Sequence, residues 1–156
     1  MSWFSNLFFH AKAAARLAVV NAFSTQPHVL ASNFADEADL RGFKAAKAHG
    51  LSDVQAFRYG DNCIGFWGED TCVDTPMCAL PPEDLIAKWG SERARKIKYV
   101  RVTVGTKSVI CLIADVMPHK RYITNGCGID LNPGAVKALG LRAPLKTPAV
   151  WEWLNA

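Results

Sequence analysis

At 156 residues, 50% hydrophobic and 21% charged, the chain is long enough to bury a core of its own, which excludes a disordered tail. Its formal charge of +4 would suit a polyanionic partner, but only Arg93, Arg95, Lys96 and Lys98 are locally dense, so nucleic-acid binding is not expected. The five cysteines are an odd number, which leaves at least one thiol free or paired between chains, and their spacing fits no zinc motif. No metal and no other cofactor is expected.

Residues 3–23 read as a helix in which Ser5, Lys12 and Arg16 share a stripe while Trp3, Leu7, Ala11, Ala14 and Ala18 fall away from it. Such a helix packs on its own domain or on a partner; lying in a membrane interface is the alternative. Lys12 and Arg16 interrupt the apolar run, so neither a secretory signal nor a span of about 18 apolar residues is expected. A protein of this kind stays inside the cell or leaves by another route, and membrane contact is not expected. After a polar break at Ser24 to Pro27, a second helix is predicted from Phe34 to about Ala48. Ser32 or Asn33 would cap it, Asp36 and Glu37 fill its first turn, and His49-Gly50 end it. Residues 1–50 are thus read as a helical N-terminal extension and 51–156 as the folded domain.

From Val54 the pattern shortens. Gln55 to Tyr59 is a candidate strand, and Asp61 to Pro76 is a long loop rich in glycine, cysteine and acids. Cys63, Cys72 and Cys78 fall close together there, and a disulfide among them would need an oxidising compartment. Leu80 to Gly90 is a short helix opened by proline and closed by glycine. Lys98 to Val104 and Ser108 to Val116 form strands joined at Gly105-Thr106-Lys107, with Cys111 an ordinary buried thiol in the second. The last strand, Ala149 to Leu154, puts Trp151 and Trp153 on one face.

The most informative stretch runs from Gly128 to Gly140. Asn132 is a good N-cap, Pro133 is pre-organised for the first helical position, and Gly140 closes the segment. Asp130 therefore sits at a strand-to-helix junction between Ile129 and Leu131, half desolvated, with a raised pKa that lets it hold a proton near neutrality. The plainer role for Asp130 is to stabilise the helix start through its dipole, worth about 0.3 to 1 kcal/mol.

The hairpin, then Ala114-Asp115-Val116-Met117-Pro118, then Ile129-Asp130-Leu131-Asn132-Pro133, resembles the signature half of a double-psi β-barrel of the expansin, barwin and rare-lipoprotein-A type. Upstream, Cys78-Ala79-Leu80-Pro81 resembles that family's small-Ala-Leu-Pro segment. Arg58-Tyr59-Gly60-Asp61 resembles its first strand, which in related family-45 cellulases carries a catalytic aspartate. The resemblance covers residues 54–154 and implies a mainly β fold: a six-stranded double-psi barrel with short helices, preceded by the helical extension. Its members include cellulases, peptidoglycan lytic transglycosylases, wall-loosening proteins without hydrolysis and inert relatives, so the fold leaves the activity open. Three departures bear on the substrate. Met117 stands where glucan-binding expansins carry an aromatic, Met77 where bacterial septal proteins carry a histidine, and the Asp115 to Asp130 loop is longer than in compact bacterial expansins.

Glycosidic cleavage needs a proton donor to the leaving oxygen, and inverting hydrolysis needs a second carboxylate to activate water. On the resemblance, Asp130 is the acid, Asp61 the base of a hydrolase, and Asp115 a neighbour whose charge keeps Asp130 protonated. Tyr59, Trp67, Met117 and His119 are the candidate substrate contacts, with Trp89 a further stacking candidate. Each has a plainer reading: turn acids for Asp115 and Asp61, core aromatics for the tryptophans, a solvated loop for His119. The expected substrate is peptidoglycan or a related glycan. A phage-encoded or virion-borne wall enzyme would need no signal and could dock protein partners through residues 3–48. The alternative is a non-catalytic structural or glycan-binding barrel in an assembly such as a phage tail.

Overall fold

The computed structural model describes residues 28–154. The helix expected over residues 3–23 lies outside them. Six strands close into a barrel: β1 (Val29–Asn33), β2 (Met77–Leu80), β3 (Tyr99–Val104), β4 (Lys107–Val116), β5 (Cys127–Leu131) and β6 (Lys146–Trp153). Around the barrel they run β1-β5-β2-β4-β3-β6, so every strand has two neighbours and no edge is left unpaired. The β1·β5 and β2·β4 pairs are parallel and the other four antiparallel. The expected six-stranded barrel with short helices is therefore what this chain forms.

Alternation explains which face of each strand is inside. Val100 and Val102 of β3, Cys111 and Ile113 of β4, and Ile129 and Leu131 of β5 are fully buried, while Arg101, Leu112 and Asp130 between them are more exposed. Leu80, Leu85, Trp89 and Trp151 complete the core. At burial values near 25 cal/mol per Å², such side chains contribute about 1.5 to 3 kcal/mol each. β3 and β4 turn at Gly105, whose φ of +59° belongs to a tight hairpin. Trp151 and Trp153 do share a face, in edge contact at 5.1 Å.

Among the described residues four short α-helices decorate the barrel: α1 (Glu37–Ala48), α2 (Asp53–Ala56), α3 (Pro82–Trp89) and α4 (Pro133–Ala138). Helix α1 starts two or three residues later than expected. Asp36 caps it in a reciprocal box with Asp39, while Ser32 and Asn33, read as caps, belong to a strand.

Two assignments change. The barrel begins at Val29, inside the segment read as a helical extension, and β1 supplies the strand that joins β5 to β6. Gln55 to Tyr59 is not a strand: Ser52 and Gln55 form a capping box that starts α2, and the chain then turns through Tyr59. Local capping outcompetes the weak alternation of that stretch.

Helices α1 and α2 pack as a unit. Phe43 and Phe57 meet at 5.0 Å, and Gly42 lies so close to the Tyr59 carbonyl that a Cβ there would stand 2.0 Å from its oxygen. This close approach fixes the turn that delivers Asp61.

Candidate active site

Two β-bulges create the site. Along the parallel β2·β4 pair, Cys78 faces Ile113 but Ala79 faces Asp115, so Ala114 is the extra residue. Along β1·β5, Leu30 faces Cys127 but Ala31 faces Ile129, so Gly128 is the extra one. With both shifts in place, Ser32, Asp130, Ala79 and Asp115 form a row across β1, β5, β2 and β4. Asp130 lies between inward-facing Ile129 and Leu131 and so points to the outer face. The backbones of Asp130 and Asp115 stand two strand spacings apart, roughly 10 Å, with only the methyl group of Ala79 between them.

This row floors a cleft of about 450 Å³ lined by Asp61, Asp115, Asp130, Ala79, Val116, Met117 and Pro118, with Phe34, Phe57, Ile64 and Phe66 around them. The three aspartates singled out in the sequence therefore converge on one cavity. Met117 joins them, buried. Tyr59, Trp67 and His119 do not line it. Tyr59 is 62% exposed on the turn after α2, because it is the backbone rather than the ring that packs there. Trp67 packs on the main core, in edge contact with Trp89 and beneath the Arg95 guanidinium at 4.8 Å. Trp89 is buried in that core. His119 turns to the surface, where its Nδ1 lies 3.0 Å from Glu83.

The three carboxylates differ in what holds them. Asp115 accepts the amides of Phe66 (3.0 Å) and Val116 (2.8 Å), and Asp61 accepts that of Cys63 (2.7 Å). Asp130 accepts the Ser32 hydroxyl. Burial pushes Asp130 up to about 6; the Ser32 hydrogen bond opposes that and the charge of Asp39 adds to it. Burial likewise raises Asp115 to about 6, against its two amides, with the charges of Asp61 and then Asp130 adding. Asp61 is raised by burial and by Asp39, against the Cys63 amide. Asp39, a residue of α1, thus adds its charge at Asp130, beside the mutual repulsion of Asp130 and Asp115 that the sequence suggested.

The wall that carries Asp61 is a small closed hairpin. A Cys63–Cys72 disulfide, with Cα atoms 5.2 Å apart, shuts it. Cys78, Cys111 and Cys127 are free and buried. Gly65 rests on the bulged Ala114, where a Cβ would stand 2.3 Å from the carbonyl oxygen. Buried Asn132 ties the hairpin's return to the barrel. Its Oδ1 accepts from Met77 (2.8 Å) and Ala135 (2.9 Å), and its Nδ2 donates to Thr71, Val73 and Thr75. Asn132 is therefore both the expected helix cap and the anchor of the loop.

No family model matches the chain, and no curated protein does. Among solved structures it is similar to the Streptomyces papain inhibitor, at 14% identity and a TM-score of 0.49, over 84% of this chain and 96% of the inhibitor.

Sequence reasoning missed Ser32, Asp39, Ala79 and the aromatic flank of Phe34, Phe57 and Phe66. A signal existed for Ala79, which sits in the Cys-Ala-Leu-Pro segment that carried the resemblance. None existed for Ser32, whose role follows from a strand pairing across 98 positions of sequence. Among the described residues no group of His, Cys, Asp or Glu is arranged to hold a metal ion, and no helix is long and apolar enough to cross a membrane.

Proposed function

We propose that the protein cleaves a cell-wall glycan, as a peptidoglycan lytic transglycosylase or muramidase-like enzyme, with Asp130 as general acid and base. The observation that carries this is the contrast among the cleft carboxylates. All three line the cleft, and burial pushes both Asp115 and Asp130 up to about 6, but Asp115 and Asp61 are each tied to main-chain amides, whereas Asp130 accepts only a hydroxyl. A carboxyl group of that acidity is balanced between giving and taking a proton near neutral pH. Asp130 gives its proton to the glycosidic oxygen as the bond from the anomeric carbon breaks. The resulting carboxylate then takes a proton from the attacking hydroxyl, either the sugar's own or that of water. The Asp130 and Asp115 backbones stand roughly 10 Å apart with only Ala79 between them, so no large side chain covers the floor beside Asp130.

The setting we propose is a phage-encoded or virion-borne wall enzyme. Residues 29–33 form a strand of the barrel, so docking onto partner proteins falls to the rest of residues 3–48.

Incubating purified protein with insoluble peptidoglycan tests the activity. Soluble muropeptides should appear with the wild type and fall at least 100-fold with Asp130→Asn while the variant stays folded. Equal release by the variant would remove Asp130 from the chemistry. No release by either protein would leave a structural or glycan-binding barrel.

A further inference from the structure

The cleft is apolar on its flanks and negative on its floor, and among the described residues the basic group closest at hand in the contacts of its lining is Arg93, whose guanidinium lies 5.4 Å from the Phe66 ring rather than on the carboxylates. Eight of the fourteen acidic side chains have a Lys, Arg or His within ion-pairing distance. Of the remaining six, Asp61, Asp115 and Asp130 line the cleft, and Asp39 is near enough for its charge to act on two of them. Among the described residues no Lys, Arg or His lines that cavity, although the chain carries 18 Lys and Arg.

The flanks add a second requirement. Phe57 is 48% exposed, Phe66 42% and Ile64 60%, and all three stand at the same cleft. Large apolar side chains left in water beside a concave site mark a surface that a ligand covers. Phenyl rings offer flat faces to the C–H side of a pyranose and no hydrogen bond, so polar recognition falls to the carboxyl groups, which only accept when ionised.

We propose that the occupant of this cleft is a glycan bearing free ammonium groups, an amino-sugar chain that lacks its N-acetyl groups. This rests on the glycan reading above and narrows its substrate class. The ammonium donates to the Asp61 side of the floor while the sugar rings lie along Phe57 and the side of Phe66 that the Arg93 guanidinium leaves free. An acetamide at the same position is neutral and bulkier, and leaves the carboxylates without a cation. Anionic sugars are repelled by the floor.

Calorimetric titration with two matched β-linked tetrasaccharides, one of glucosamine and one of N-acetylglucosamine, tests the assignment at pH 6.5. The glucosamine chain should bind at least tenfold tighter, since a charge-assisted hydrogen bond contributes about twice a neutral one. Raising salt from low to about 0.5 M should erase most of the difference. Asp61→Asn should reduce the preference severalfold. Asp74→Asn, at an exposed ion pair with Lys137, should leave it intact. Equal or tighter binding of the acetylated chain overturns the inference, as does a preference that survives Asp61→Asn. A lysine-bearing tetrapeptide that competes as well as the glucosamine chain overturns it too, in favour of a peptide ligand. The two proposals fail separately. Release of fragments from fully acetylated wall, with no preference for amines, sinks this one and keeps cleavage. Tight amine-dependent binding without bond breakage does the reverse.

Discussion

The two walls of the cleft are held by different physics. The Asp61 wall, residues 61–76, is fastened from inside by the Cys63–Cys72 disulfide, by Asn132 and by the Gly65 contact on Ala114. The other wall meets the cleft only at Met117 and Pro118; the chain beyond them, residues 119–126, turns through a short 3-10 helix, Lys120–Tyr122, and is fastened from outside. There Glu83 takes the His119 ring and the Lys120 amide, and Asp84 pairs with Lys120, all exposed. Buried polar bonds are costly to break and indifferent to salt, whereas exposed pairs are weak and screened. One wall is therefore a fixed reference and the other can adjust to what enters.

The comparison breaks most sharply at Asn132. Asn132→Ala leaves the carbonyls of Thr71, Val73 and Thr75 and the amides of Met77 and Ala135 without their partner, so the variant should lose roughly 4 kcal/mol. Thermal unfolding should show a drop of more than 10 °C or no cooperative transition; a shift of a few degrees would mean the loop is held elsewhere. Replacing Cys63 and Cys72 together by serine opens a short loop, and urea titration should show a loss of about 2 to 3 kcal/mol.

A third test concerns the floor that both walls face. Asp130 is raised in the folded state to about 6, so folding takes up protons between the unfolded value and that one. Its contribution is fully favourable below about pH 4, declines as pH rises to about 6, and is constant above. Asp130→Asn removes that penalty and should stabilise the protein by about 2 kcal/mol at pH 7.5 relative to pH 4, read as a difference in denaturation midpoints. The opposite sign would show that the carboxylate is held in its charged form. The smallest effect belongs to the outer wall. Glu83→Gln should cost no more than about 0.5 kcal/mol, and amide exchange of residues 119–123 should quicken while that of 63–72 does not change.

Legibility in the sequence followed the range of the interactions. Asp130-Leu131-Asn132-Pro133 was readable because a cap, a proline and a helix lie within six residues, and Asp115 because a strand ends beside Pro118. β1 was hidden: its inward residue Ala31 is small, and Ser32 and Asn33 imitate helix caps that Asp36 in fact provides. The Ser52 and Gln55 box was present in the sequence and outweighed the apparent alternation after it. Asp39 could not be found that way, since its influence depends on α1 packing against the turn at Gly60.

The bulge at Ala114 brings Asp115 level with Ala79. Because Ala79 is hydrogen-bonded in register between both acids, the gap separating them is a repeat distance of the sheet, beyond the reach of side-chain drift. Only the bulk at position 79 is free to vary on that rung. Related chains with valine or leucine there would keep both acids in place yet shutter the aperture, so one residue would sort open barrels from closed ones.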